Sequence, residues 1–461
     1  MRAPRWLVPT VVGAAVLGGL SLLLPGSPGY DQWSWLLWGR EIVHADLSLA
    51  GGTSWKPLPV ALTTIDALFG RAAPALWLAT VRAFGVLALV EAFRVARRLA
   101  GGRAAGLAAA AAALAGLVLT AHAYAVMVGG SETAVVLLSL LAIDLHLAGR
   151  PRLALASAWG AGLVRPELWP VLLAYGLWLA WREPGARPLA AALGAALAVL
   201  WFVPDWLVEG NPFYGAALAR VDTPLTYGGH PDPIGRAVFD VRHELLAPFA
   251  TGAAVALAAG LLASARTRRI DPLAVIVVAA LTWIAVDLAL LGAGYAGAVR
   301  YFFGPLAVLA VAGGAGWARL GRVGGTSGVA VVATLLAVWV ALDAPSRFAH
   351  FARQEAFVET QAGAARTLPA AIDAAGGPRR LLACGHPAVP LFTGPMIAWD
   401  LGVPPARLDP RSAHATVVFQ ERGRPRSPFA PAGSRARRVA AANAHWRILT
   451  ARCLPSSRTR S

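Results

Sequence analysis

Eleven apolar segments, separated by arginine at every second turn, constrain this chain more than any other feature of its sequence. They run roughly over 6–24, 75–93, 104–120, 133–148, 153–164, 166–181, 188–204, 245–264, 272–291, 302–318 and 326–343. A helix needs about 20 apolar residues to cross a bilayer core, and a spanning helix satisfies its own backbone groups where water cannot. Arg2 and Arg5 precede the first segment, and Arg94, Arg97, Arg98 and Arg103 lie between the second and third. Arg150, Arg152, Arg182, Arg187, Arg266, Arg268, Arg269, Arg319 and Arg322 fall at later turns of the same parity. Cytoplasmic loops carry such an excess of basic residues. With a cytoplasmic N-terminus, all fifteen arginines lie on the cytoplasmic side.

Composition agrees. Hydrophobic residues make up 57% of the 461 and charged residues only 14%, against roughly 25% charged in soluble domains. A soluble enzyme and a disordered chain are excluded. Gly 48 and Pro 33 occur without a Gly-X-Y period, which excludes collagen. The expectation is an all-α polytopic membrane protein of about eleven transmembrane helices, with a small C-terminal exported α/β domain. Residues 1–344 form the membrane domain, with outside loops at 25–74 and 205–244, and residues 345–461 form the extracytoplasmic domain. The first segment lacks a small-residue cleavage site and is read as retained. From residue 347 onward there are 17 Arg and 6 acids, +11 of the net +17. Long domains translocate despite such charge.

The fifth and sixth segments are short, about 12 and 16 residues, and Arg165-Pro166-Glu167 separates them. Both flanks are cytoplasmic by the arginine pattern, so they form a hairpin whose tip stops short of the far surface. Such broken helices are tolerated where protein or a water-filled cavity covers the backbone. In the C-terminal region, alternation suggests strands at 380–384 and 415–419, and 351–375 reads as helix. The two cysteines, Cys384 and Cys453, are too few for a Cys-based metal site. Both lie in the exported region, where a disulfide between them is expected.

Polar residues at the outer boundary carry the functional information. Asp31 follows the first segment among Tyr30, Trp33, Trp35 and Trp38. One reading is an interfacial aromatic belt with a solvated Asp. The other is a carboxylate base beside aromatics that stack on a sugar or isoprenoid. Lys56, in Ser54-Trp55-Lys56-Pro57-Leu58-Pro59, is the single lysine beside forty arginines. A compact ammonium suits a phosphate as a point charge. Deep Arg82 and Arg165 are expected to find buried partners such as Glu167 or Asp66, and Glu91 and Asp144 to pair with nearby arginines. Asp287, inside a span, is a functional candidate by its position. His44, His122 and His230 show no metal spacing. Arg220, Asp222, Tyr227, His230 and Asp232 either line a cleft or form a solvated loop.

The order of these features resembles the GT-C superfamily of polyprenyl-phosphate-sugar glycosyltransferases, in its protein O-mannosyltransferase and aminoarabinose transferase branch. Asp31 is followed by the Trp55-Lys56-Pro57-Leu58-Pro59 motif, Leu68-Phe69-Gly70, and a helix from Arg82 to Arg97-Arg98-Leu99-Ala100-Gly101. Gly130-Ser131-Glu132-Thr133 is similar to the family's second acidic position. Arg165-Pro166-Glu167 and Arg300-Tyr301-Phe302-Phe303-Gly304-Pro305 are similar to two further segments. The resemblance covers about 1–345. It departs from the family's pattern at Leu58, where Lys-Pro-Pro is usual, and at Glu132, which has no Asp-x-Asp beside it.

The resemblance implies a glycosyltransferase, hexosyl or pentosyl, that moves a sugar from a polyprenyl-phosphate donor to an extracytoplasmic acceptor with inversion. Asp31 and Glu132 would be catalytic and Lys56 and Arg300 would hold the donor phosphate. Tyr30, Trp33, Trp55 and Tyr301 would bind substrate, and Arg165, Glu167, Cys384 and Cys453 would be structural. No cofactor is expected, and without an Asp-x-Asp a divalent metal lacks its usual ligands. The partners are a polyprenyl-phosphate sugar, membrane lipids and an acceptor that is a protein, glycolipid or cell-wall glycan; nucleic acid is not among them. The location is a bacterial plasma membrane. A transporter or flippase of lipid-linked glycans, and a catalytically inactive GT-C relative, are the alternatives.

Overall fold

The computed structural model describes residues 7–118, 122–220, 226–408, 415–422 and 438–451. Every apolar segment coincides with a helix. In chain order they are α1 (Leu7–Leu20), α2 (Tyr30–Val43), α3 (Pro57–Ala67), α4 (Ala73–Ala100), α5 (Arg103–Val118), α6 (His122–Met127), α7 (Glu132–Leu147), α8 (Pro151–Gly162) and α9 (Trp169–Arg182). Then follow α10 (Arg187–Glu209), α11 (Tyr214–Leu218), α12 (Pro233–Glu244), α13 (Ala247–Thr267), α14 (Pro272–Gly292), α15 (Phe303–Gly321), α16 (Gly325–Ala374), α17 (Pro378–Ala383) and α18 (Gly394–Leu401).

Five helical stretches among the described residues are long and apolar enough to cross a membrane: Gly70–Ala100, Pro184–Glu209, Ala247–Thr267, Pro272–Gly292 and Val299–Ala374. The last runs through both α15 and α16. Leu7–Leu23 and Arg103–Val118 are apolar but shorter. At 12 and 14 residues, α8 and α9 are about 18 and 21 Å long, too short to cross a core of about 30 Å. The Arg165 tip between them therefore ends inside the bundle.

α15 is the central post, buried along nearly its whole length against α13, α5 and α4. Its glycines permit this. A Cβ on Gly313 would lie 2.4 Å from the Phe249 carbonyl oxygen, and one on Gly316 2.2 Å from that of Gly252. Small residues let helices approach closely where no hydrophobic force draws them together. On the arginine-rich face, Arg94 and Arg98 both reach Asp144 at 2.6 Å, and Arg94 reaches Glu91 at 3.2 Å. The expected pairings of Glu91 and Asp144 are thus made. Arg82 differs from expectation: it pairs with neither Glu167 nor Asp66. Its guanidinium donates to the carbonyls of Ser21 (2.6 Å), Pro25 (3.1 Å) and Met127 (3.3 Å). The ends of α1 and α6 expose unsatisfied carbonyls, and those neutral acceptors hold the cation.

The stretch 25–74, expected as an outside loop, contains two helices. α2 starts after Pro25-Gly26-Ser27-Pro28-Gly29 and packs on α3, where Thr63 Oγ1 donates to the Trp35 carbonyl at 2.7 Å. The boundary expected at 344/345 falls inside α16, a continuous helix of 50 residues. Beyond it stands a four-stranded sheet of β1 (Pro387–Ala388), β2 (Val417–Glu421), β3 (Arg438–Ala442) and β4 (Trp446–Thr450), in the order β1-β2-β4-β3. β1 is parallel to β2 and the other pairings are antiparallel. Trp446 anchors the sheet to α16, its Nε1 donating to the Ala364 carbonyl at 2.7 Å. The strand expected at 380–384 is helical, as α17. Gly377, at φ 83°, turns the chain and Pro378 begins the helix, and a proline at the first helical position is pre-set for that conformation. Cys384 is disulfide-bonded, and Cys453 lies outside the described residues.

Candidate active site

Asp31, Lys56, Glu132, Arg165 and Arg300 come together around Tyr301. Arg165 stands over the Tyr301 ring at 4.2 Å, Arg300 at 5.6 Å and the Lys56 ammonium at 5.9 Å. Arg300 Nη2 lies 2.8 Å from Asp31 Oδ2. Arg165 makes a fully buried ion pair with Glu132. Tyr295 lies tilted beside Tyr301 with centroids 5.6 Å apart, and its hydroxyl donates to Glu167 Oε1 at 3.1 Å. Five charged side chains from five separate segments thus share one small volume.

Local structure fixes each of them. Asp31 sits in the first turn of α2, where the helix dipole favours a carboxylate. Lys56 precedes Pro57 and is extended, at φ −141°, ψ 111°, the conformation a following proline imposes. Its chain turns inward there, and Trp35 lies under the ammonium at 5.3 Å. Glu132 opens α7 after the Gly129-Gly130 turn, which Trp77 Nε1 ties down through the Gly129 carbonyl at 2.9 Å. The short α8–α9 hairpin carries Arg165 at its turn, 2% exposed.

The electrostatics divide the cations into two kinds. Arg165 is committed to Glu132. Lys56 is only 5% exposed and makes no ion pair among the described residues. Burial pushes its ammonium down to about 7; Arg165 and Arg300 add to this, and Asp31 and Glu132 oppose it. Arg300 Nε is buried without a hydrogen-bond partner. Burial raises the Asp31 carboxyl, but Arg300, Lys56 and the Thr53 hydroxyl outweigh it and hold Asp31 below the usual carboxylate range. Thr53 Oγ1 donates to Asp31 Oδ1 at 3.1 Å. An unpaired ammonium beside a guanidinium with a spare N–H is suited to a phosphate.

The carboxylates and cations are interleaved, Asp31 on Arg300 and Glu132 on Arg165, because each buried acid needs its own counter-charge. The aromatics also separate. Tyr301 borders all three cations. Tyr30 meets Phe392 edge-on at 6.3 Å, and burial, then Asp31, raises its hydroxyl to about 12. Trp33 packs on Trp399 at 6.0 Å. Trp55 packs on Trp38 at 5.7 Å and donates to the Leu200 carbonyl at 2.9 Å. Trp33 and Trp55 are thus held in protein contacts. Glu167 lies in the layer of Tyr295, behind Tyr301.

In the 205–244 loop, Tyr227 is buried and donates to Asp240 Oδ2 at 3.2 Å, Asp232 caps α12 through the Gly235 amide, and His230 is exposed. None of these is drawn into the Tyr301 cluster, and Asp222 lies outside the described residues. Thr53 and Tyr295 were not anticipated. Thr53 stands three residues before Lys56, and Tyr295 five before Arg300, so proximity to a motif was the available signal. Among the described residues, no three His, Cys, Asp or Glu side chains gather as metal ligands.

The fold is thus a helical bundle with a charged cluster and a small C-terminal mixed domain. Two solved structures share it over nearly the whole chain, both of ArnT from Cupriavidus metallidurans. The form bound to undecaprenyl phosphate is 16% identical, with a TM-score of 0.55, over 97% of this chain and 98% of that one. The apo form is 14% identical, with a TM-score of 0.58, over 96% and 97%. At these identities the likeness is one of fold. No family model matches the chain, and no curated protein matches its sequence.

Proposed function

We propose that this protein is a membrane glycosyltransferase that moves a sugar from a polyprenyl-phosphate donor to an acceptor hydroxyl outside the cell, inverting the anomeric carbon. The observation that carries this reading is the pair of cationic groups left free for a ligand: the Lys56 ammonium, and the Arg300 Nε, both at Tyr301. The fold shared with an ArnT bound to undecaprenyl phosphate supports a lipid phosphate there.

In this reading the donor phosphate takes Lys56 and Arg300. The acceptor oxygen forms a bond to the anomeric carbon as the bond from that carbon to the phosphate oxygen breaks. The electron pair leaves with the phosphate, where fixed cations stabilise the developing charge. The acceptor proton passes to Asp31. Paired with Arg300, Asp31 is a weak base; a phosphate that draws Arg300 away restores its basicity at the moment of reaction. Glu132 holds Arg165 in place, and Arg165 supplies a third positive charge at the ring of Tyr301.

The arginine pattern supports a bacterial plasma membrane, with the N-terminus inside and the C-terminal domain outside. Reporter fusions at residues 60 and 400 should both report export, and a cytoplasmic signal at 400 contradicts this arrangement. The activity is tested by incubating purified protein with radiolabelled polyprenyl-phosphate sugars and candidate acceptors. Transfer with inverted anomeric configuration in the product supports the proposal. Movement of the labelled lipid across a vesicle bilayer without transfer favours a flippase. Neither transfer nor movement favours an inactive relative.

A further inference from the structure

Where α12, α13 and α16 meet lies a cavity of about 410 Å³. None of Asp31, Lys56, Glu132, Arg165 or Arg300 lines it. By the alternation of the helices it opens at the same end of the bundle as the Tyr301 cluster. The apolar stretch of α16 stops at Leu342, and Asp343 is its first charge. α13 begins at Ala247, just after Arg242 and His243 at the end of α12. The cavity therefore straddles the boundary between hydrocarbon and headgroups.

Its two halves differ in chemistry. Leu245, Pro248, Trp339 and Leu342 form the membrane side. Leu342 is 77% exposed and Trp339 39%, so both present apolar surface to lipid tails, and Trp339 sits at the depth where indoles favour the interface. The outer rim carries Arg242, His243 and Arg347. Arg347 is buried, reaching Asp343 at 3.4 Å and the His243 carbonyl. That bond to His243 joins α12 to α16 and fixes the rim. Arg242 is exposed and makes no ion pair among the described residues. His350 and Arg353 extend the same basic surface along α16. Two arginines and a histidine face the single acid Asp343, which Arg347 already engages.

We infer that this cavity binds the phosphate headgroup of an anionic membrane lipid, with the acyl chain against Trp339 and Leu342, independently of the donor phosphate at Lys56. Charge and polarity both fit: a cationic rim over an apolar wall at the interface, with Arg242 open to the ligand. A basic residue near the surface of an anionic membrane contributes enough to change affinity about fivefold.

The test is native mass spectrometry of the full chain in detergent, titrated with phosphatidylglycerol. Arg242→Ala with His243→Ala should remove one bound lipid and weaken binding by at least about fivefold. Both residues are exposed, so the fold should survive, and Arg150→Ala, at the arginine-rich end, should leave this lipid in place. Phosphatidylcholine should bind more weakly than phosphatidylglycerol, and inorganic phosphate should not displace the lipid at millimolar concentration. Unchanged retention in the double variant overturns the inference. Equal retention of phosphatidylcholine does so too, since it would make the crevice merely apolar. Displacement by inorganic phosphate would make it an anion site rather than a lipid site. None of these outcomes depends on sugar transfer.

Discussion

Arg300 Nη2 and Asp31 Oδ2 stand 2.8 Å apart, joining the turn before α15 to the first turn of α2. The pair gives the proposed mechanism its internal competition. Arg300 is both the counter-ion that keeps Asp31 ionised and a ligand for an incoming phosphate. Asp31→Asn keeps the shape, removes the base and leaves Arg300 without its partner. Steady-state transfer should fall about 10²–10⁴-fold, mainly in kcat. Donor binding should hold or tighten, since Arg300 no longer divides its charge. Unchanged turnover in Asp31→Asn returns this residue to the role of a belt carboxylate.

Lys56 sets a pH dependence. Its folded pKa of about 7 is below the roughly 10.4 of an exposed lysine. A phosphate binds the protonated form, so donor affinity should be full below about pH 7 and fall as pH rises through it, by up to about tenfold per unit. Stability should run the other way. Between about 7 and 10.4 the unfolded chain holds the extra proton, so raising the pH favours the folded state. In Lys56→Ala the pH slope of donor binding should vanish. Lys56→Arg should bind poorly, because a planar fork replaces a point charge in a closed site. Fluorescence or calorimetric titration with a polyprenyl phosphate between pH 6 and 9 reads both variants.

The Arg165–Glu132 pair should behave as one unit. Arg165→Met leaves a buried carboxylate without its counter-charge and should cost about 3–5 kcal/mol, seen as a lower melting temperature in detergent. Adding Glu132→Gln should recover much of that stability while activity stays lost. Recovery of activity in the double variant would mean that Arg165 serves only as the partner of Glu132.

The C-terminal domain should contain a Cys384–Cys453 bridge, closing a loop of about 70 residues whose loop-closure entropy is worth roughly 4 kcal/mol. Non-reducing peptide mapping should recover the linked pair. Reduction should lower the melting temperature of the C-terminal domain. A free thiol at Cys453 would contradict the pairing.

Much of this architecture was legible in the chain. Apolar runs bounded by arginine located α1, α4, α5, α7, α8, α9, α10 and α13–α16, because a helix in or beside a bilayer core must be apolar and its basic residues collect at its ends. Arg165-Pro166-Glu167 marked a broken hairpin, since a proline and two charges cannot sit in lipid. Other features were hidden. α2 and α3, at 14 and 11 residues, are too short and too mixed in polarity to stand out by apolar length. The run of α16 through residue 344 was unreadable because Pro345 normally argues against a continuing helix. The side-chain partners were the least accessible. Arg82 took carbonyls, and Arg165 took Glu132 from 33 residues away, choices set by tertiary packing alone. Asp31, Lys56, Glu132 and Arg300 could be named from sequence, but their pairing could not.

The most direct measurement is transfer of labelled sugar from a polyprenyl-phosphate donor by the purified protein, alongside its Lys56→Ala variant. Inverted product is expected from the parent chain, and transfer at least about tenfold weaker from the variant at low donor concentration. Equal transfer by both would contradict the assignment of the Lys56–Arg300 pair at Tyr301 as the donor-phosphate site.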